Sequence, residues 1–139
     1  MFYRKSQLEK ISSESCDVVV VNYANADMVA HTGNLQATIK ACEVVDACVG
    51  QIVSAVTRVG GVVLITGDHG NAEELINNET GEVDTEHSIY PVPLLVIGKQ
   101  FEYGEKKELG KGILADIAPT MLHLLNIPQP PEMTGRALI

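Results

Sequence analysis

In the segment "NADMVAH", residues 25–31, Asp27 and His31 stand four residues apart, so on a helix a carboxylate and an imidazole share one face. That pairing suits a surface ion pair, a helix-end interaction or part of a metal shell. Two further stretches bear on the choice. "TGDHGNAEE" carries Asp68 and His69, and "TEHSIY" carries His87. Neutral imidazoles and carboxylates are the usual ligands of Mn, Zn and Fe, so two aspartates and three histidines converging on one place would make a transition-metal site. Five donors are too many for one catalytic zinc and too few to saturate two ions. A pair of ions about 3.5–4 Å apart would clamp a phosphoryl group and activate a hydroxyl nucleophile.

Each element taken alone has a plainer reading. Asp27 with His31 reads as a solvated helical pair, Asp68 as a cap, His69 as a bonded loop imidazole and His87 as a surface residue. Their joint position relative to strand ends favours the metal. His123, inside "TMLHLLN", reads as a structural or surface residue of a helix. Glu73 and Glu74 read as solvating a helix start, with Glu73 also suited to supporting a ligand from behind. Cys16, Cys42 and Cys48 show no CxxC spacing and suggest neither a disulfide framework nor a zinc knuckle.

The elements that must position these groups are legible from hydrophobic runs. "DVVVVN" at 17–22, "GVVLITG" at 61–67 and "PLLVIG" at 93–98 read as buried strands. Continuous rather than alternating hydrophobicity implies cover on both faces, the habit of parallel strands in α/β sheets. Leu35, Ile39, Cys42, Val45, Val49, Ile52 and Val56 recur at spacings of three and four, which predicts an amphipathic helix ending before Gly60-Gly61. A second helix is expected over 116–125, with Asp116 as N-cap, Pro119 in its first turn, and Asn126 and Pro128 ending it. Residues 76–87 read as a polar excursion turning near Thr80-Gly81, 99–112 as an exposed loop, and "PQPPEMTG" as an extended surface tail. In open α/β sheets functional groups collect beyond the carboxyl ends of strands, which puts the first two Asp–His pairs on one rim.

The bulk numbers set the class. A chain of 139 residues with 45 % apolar and 20 % charged residues is one globular unit. Its formal net charge of −8 argues against a nucleic-acid partner, and an anionic substrate would need local cations. No apolar run approaches a bilayer span and no signal peptide is apparent, so with its free cysteines the protein is expected in the cytoplasm.

"VNYANADMVAHTGN", "LITGDHGNAEEL", "TEHSIYPVPLLVIG" and "LADIAPTMLHLLNIPQPPEMTG" together resemble the C-terminal part of cofactor-independent phosphoglycerate mutases, of the alkaline phosphatase superfamily. The resemblance runs in order along nearly the whole chain. It implies a partial three-layer α/β fold, a mainly parallel sheet flanked by helices, with residues 1–139 as the C-terminal segment of the metal-binding domain and with the N-terminal segment and inserted substrate domain absent. It implies two Mn2+ ions, or other divalent metals. Asp27, His31 and His87 would hold one, and Asp68 and His69 would form part of the shell of the second. It further implies interconversion of 3- and 2-phosphoglycerate, in glycolysis and gluconeogenesis, through a phosphoserine whose serine is not in this chain. Ser12, Ser13, Ser15, Ser54 and Ser88 do not match that context, so the chain alone is expected to be inactive. Glu86, beside His87, departs from the small residues expected of the family there. Other readings are a phosphatase or phosphopentomutase of the same superfamily, or a non-catalytic metal-binding module. A bare sheet edge would favour pairing with an N-terminal segment or self-association.

Overall fold

The computed structural model describes residues 8–13, 15–77, 79–101 and 108–139. They fall into two compact units, Met1–Tyr103 and Gly104–Ile139. The first contains α1 (Asn25–Ala30), α2 (Leu35–Arg58), β1 (Val63–Thr66), β2 (Leu94–Ile97) and a 3-10 turn at Lys99–Phe101. The second holds a 3-10 turn at Leu114–Asp116 that runs into α3 (Ile117–Leu124).

Helix α2 is the long helix expected from the apolar spacing, and both its ends are chemically specified. Asn34 caps it by accepting from the Ala37 amide at 3.0 Å, which satisfies one of the free first-turn donors. At the other end Gly60 takes φ +80°, the left-handed geometry that favours glycine. The Gly60 and Gly61 amides then donate to the Thr57 and Val56 carbonyls at 3.2 and 2.9 Å, closing a Schellman turn. Its apolar stripe is only partly covered: Thr38 and Ile52 are buried, while Leu35 and Ile39 stay 48 % and 44 % exposed.

The sheet departs from expectation. β1 and β2 pair antiparallel, with Val63 opposite Ile97 and Thr66 opposite Leu94. A parallel pair needs a crossover, usually a helix. Here the described residues of 67–93 contain none; they run out and back as an arm, with bridges Gly70 to Ser88 and Ile76 to Val83. The apolar runs alone could not reveal strand direction, because burial on both faces is blind to it. The arm turns where expected. Asn77 Oδ1 accepts from the Glu79 and Thr80 amides, and Gly81 at φ +72° completes the reversal. The run at 17–22 is a second departure: it belongs to no ladder among the described residues, and Val20 is 86 % exposed. A strand exists only with a partner, and hydrophobicity does not supply one.

Between α1 and α2 the chain turns at Gly33, φ +66°, whose amide donates to the Ala30 carbonyl at 2.8 Å. A Cβ there would collide with Val83 Cγ1 and come within 3.7 Å of Thr85 Cγ2. The glycine thus lets the returning limb of the arm lie against the end of α1.

In the second unit Asp116 is buried, but its side chain does not cap α3 as expected. Its two carboxylate oxygens accept instead from the Ile113 amide at 2.9 Å and the Arg136 amide at 2.8 Å. Thr120 adds a second tie, donating to the Asp116 carbonyl and accepting from the Leu138 amide. The C-terminal tail is fastened to this helix, and Gly135 fits because a Cβ would run into the Ala115 carbonyl. Asn126, at φ +55°, ends α3 as expected, and His123 is exposed on it. The loop expected over 99–112 lies partly outside the described residues.

Two outcomes follow. Gly33→Ala should destabilise the chain by about 1–3 kcal/mol in urea unfolding, from left-handed strain and overlap with Val83; an unchanged midpoint would contradict this account of the turn. Asp116 is held below the ordinary carboxylate range by the Ile113 amide and then by the Arg136 amide. A lowered folded-state value makes its contribution complete above the unfolded-state pKa and lost as pH falls through the folded one. Asp116→Asn should therefore remove part of the acid-induced loss of stability, read as a flatter dependence of melting temperature on pH in the acid range.

Candidate metal centre

Helix α1 carries Asp27; His31, the next residue after its end, lies one turn on, and the returning limb of the arm brings His87 to them from 56 positions beyond His31. Asp27 Oδ1 lies 3.4 Å from His31 Nε2 and 3.2 Å from His87 Nε2, and the two Nε2 atoms are 3.2 Å apart. Three donor atoms thus form a nearly equilateral triangle. A tetrahedral set with bonds of about 2.0–2.1 Å has donor–donor edges of about 3.3 Å, so the triangle has the dimensions of one face of a metal shell. The groups are open to solvent on one side, with His31 40 %, Asp27 30 % and His87 49 % exposed.

The tautomer of His31 is set from behind. Its Nδ1 lies 2.6 Å from the Thr85 carbonyl, an oxygen that can only accept, so Nδ1 carries the proton and Nε2 turns a lone pair to the triangle. His87 Nε2 faces that lone pair and the Asp27 carboxylate together. Unshared lone pairs at this separation repel, so the arrangement is suited to sharing a proton or a cation. An N, N, O donor set of neutral imidazoles and one carboxylate suits Mn, Zn or Fe.

Asp68 and His69 sit beside this triangle without joining it. His69 stacks on His87 with ring centroids 3.8 Å apart and planes 23° from parallel. Its Nε2 is 3.8 Å from Asp68 Oδ2, and Asp68 is 81 % exposed. They make an adjacent Asp–His pair that is partly open to solvent. Glu86, the departure next to His87, is exposed, and its amide donates to Asp84 Oδ1 at 3.0 Å.

Asn71 is the site residue that the sequence did not single out. It is 3 % exposed, and its Nδ2 donates to Asp27 Oδ1 at 2.7 Å while lying 3.5 Å from His31 Nε2. That amide holds the Asp27 carboxyl below its ordinary range; burial opposes it, and the nearby His31, His87 and His69 reinforce it. Its position two residues after His69 was the only available signal, and asparagine in a polar turn does not announce burial. Glu73 supports the same region: it accepts from the Asn71 amide at 2.9 Å and from the Ser88 hydroxyl, the Ser88 contact being the main reason its carboxyl is also lowered.

A family model described as the metalloenzyme superfamily matches residues 3–129. The chain is 52 % identical over 132 residues to the 2,3-bisphosphoglycerate-independent phosphoglycerate mutase of Rhodopirellula baltica, covering 95 % of this chain and 24 % of that protein. It is 51 % identical to phosphoglycerate mutase 1 of Methanosarcina acetivorans, again over 95 % of this chain and 25 % of the relative. A crystal structure of Leishmania mexicana phosphoglycerate mutase at low cobalt concentration superposes with a TM-score of 0.81 at 29 % identity, covering 97 % of this chain and 27 % of that one. The chain therefore spans about a quarter of the length of the curated relatives it matches.

Calorimetric titration with Mn2+ checks the triangle directly. Wild type should bind, and His31→Ala should weaken binding by at least the roughly 10–100-fold that losing a ligand's outer partner costs. Acidification should weaken wild-type binding too, since a protonated imidazole cannot ligate. Equal affinity in wild type and His31→Ala would remove His31 from the donor set.

Proposed function

Because this chain belongs to the metalloenzyme superfamily, whose model spans residues 3–129, we propose that it is the C-terminal, metal-binding segment of a cofactor-independent phosphoglycerate mutase. The observation that carries the reading is the donor triangle of Asp27, His31 and His87, found in a chain about half identical to mutases of that name. Those three residues hold one divalent cation, and Asp68 with His69 supplies part of the shell of a second; the ions are manganese. Bound there, the metals act as Lewis acids that neutralise a phosphoryl group and lower the pKa of a hydroxyl nucleophile. The chain's own work is to fix the donors. Thr85 sets the tautomer of His31, Glu73 ties the His69 and His87 segments together through Ser88, and the stacked rings of His69 and His87 keep the two donor groups adjacent.

The complete enzyme interconverts 3- and 2-phosphoglycerate in the cytoplasm through a phosphoserine. No serine of this chain is given the nucleophile's role. Ser88, the one nearest the site, donates its hydroxyl proton to Glu73 and is committed there. The bare valines of 17–22 and the half-exposed face of α2 are where the remainder of the domain, the N-terminal segment of the enzyme, packs.

The purified chain should not interconvert the two phosphoglycerates in an enolase-coupled assay. A chimera in which it replaces the matching quarter of a curated mutase should be active, and His87→Ala in that chimera should lower kcat by about 100-fold or more. A folded, metal-loaded chimera without mutase activity would refute the substrate assignment.

A further inference from the structure

We propose that Asn71 is the positioning residue of the metal centre, acting through Asp27. The inference rests on the reading of Asp27, His31 and His87 as a ligand set and adds the residue that keeps the set assembled. Asp27 sits on α1, a helix of six residues, and its carboxylate is 30 % exposed, so nothing in its own helix prevents it from turning to water. The Asn71 amide supplies the restraint. Nδ2 donates to Oδ1, the same oxygen that faces both Nε2 atoms, and it lies 3.5 Å from His31 Nε2, beside the Asp27–His31 edge of the triangle.

The geometry is specific to this side chain. Asn71 Oδ1 is buried and accepts no hydrogen bond among the described residues. Burying an unmatched carbonyl is unfavourable, so the amide is not here to satisfy itself; the donor half alone is engaged, and it is engaged with a ligand. The backbone of Asn71 is pinned independently. Its N–H donates to Glu73 Oε2, whose partner oxygen accepts from Ser88, and Gly70 bridges to Ser88 in the limb that carries His87. A Cβ at Gly70 would meet Ser88 Oγ and Glu73 Oε1, so this knot closes only with glycine. Asn71 therefore transmits the placement of the His87 limb to the carboxylate on α1. Aspartate there would oppose Asp27 with a second negative charge, and serine would fall short of the oxygen.

The test uses the full 139-residue chain, with Mn2+ alone as the probe. Asn71→Leu keeps the branched shape, though it is bulkier, and removes both donors, and Asn71→Ala is the second variant should leucine disturb the fold; circular dichroism confirms which variant is native. The expected result is a 10–100-fold loss of Mn2+ affinity. In an Asp27→Ala background the same replacement should cost less than about twofold, because a residue that acts through Asp27 has nothing left to position. In the metal-free protein, the side-chain amide protons of Asn71 should shift in 15N-edited NMR on Asp27→Asn, a signature that a purely packing role would not produce. Wild-type affinity in the Asn71 variants, or an equal loss with and without Asp27, overturns the proposal while leaving the metal reading intact. Failure of the wild-type chain to bind Mn2+ at all overturns both.

Discussion

The contact on which the site depends is the 2.6 Å hydrogen bond from His31 Nδ1 to the Thr85 carbonyl. It joins a six-residue helix to a limb more than fifty positions away, and it decides which nitrogen of His31 faces its neighbours. Everything around it serves that approach. Gly33 leaves the room a Cβ would take from Val83, the arm reverses at Gly81, and the bridge from Gly70 to Ser88 sets the height at which His87 arrives. Short helices are marginal on their own, so α1 owes its place to packing against α2 and to this tether rather than to its own backbone bonds.

The apolar surface of the described residues is only partly covered. Val18, Val19 and Val20 are exposed, Ile89 is fully so, and α2 shows water half of its stripe. Burial of such groups contributes about 25 cal/mol per Å2, and here much of that stabilisation is unrealised. Asp68 and His69 likewise face solvent as a pair apart from the triangle. Both features suit a chain that spans about a quarter of the length of its relatives.

Much of this was legible in the residues, for identifiable reasons. Helix α2 could be read because a 3.6-residue period over more than six turns is hard to mistake, and its glycine stop is local chemistry. The two paired strands were legible as apolar runs, but their direction was not, because direction depends on whether the connection contains a helix. The polar turn at Thr80-Gly81 in fact contained the answer: an excursion that turns sharply and returns makes an antiparallel pair. Asp27, His31 and His87 could be nominated by residue type, and they do converge. Asp68 and His69 reach the same neighbourhood as a separate pair. Asn71 could not be read, since its role is defined by a 2.7 Å contact across 44 positions. Asp116 shows the converse: a carboxylate placed to cap the next helix binds backbone amides on either side of it instead, because the tail returns to that point.

Charge gives the last reason for the arrangement. The chain is acidic at −8, and the surroundings of the triangle add Asp68, Glu73 and Glu86 to Asp27. Among the described residues no lysine or arginine pairs with any of these; the lysine pair present is Lys40 with Glu43, on α2. Left so, the site repels anions, since two unit charges 4 Å apart interact by about 4 kcal/mol at an effective dielectric near 20. A divalent cation held on the triangle would change its charge from −1 to +1. Two neutral imidazoles per carboxylate make that inversion efficient, because they contribute ligation without adding negative charge. An all-carboxylate shell of equal size would attract a cation more strongly but would leave the site with no net positive charge.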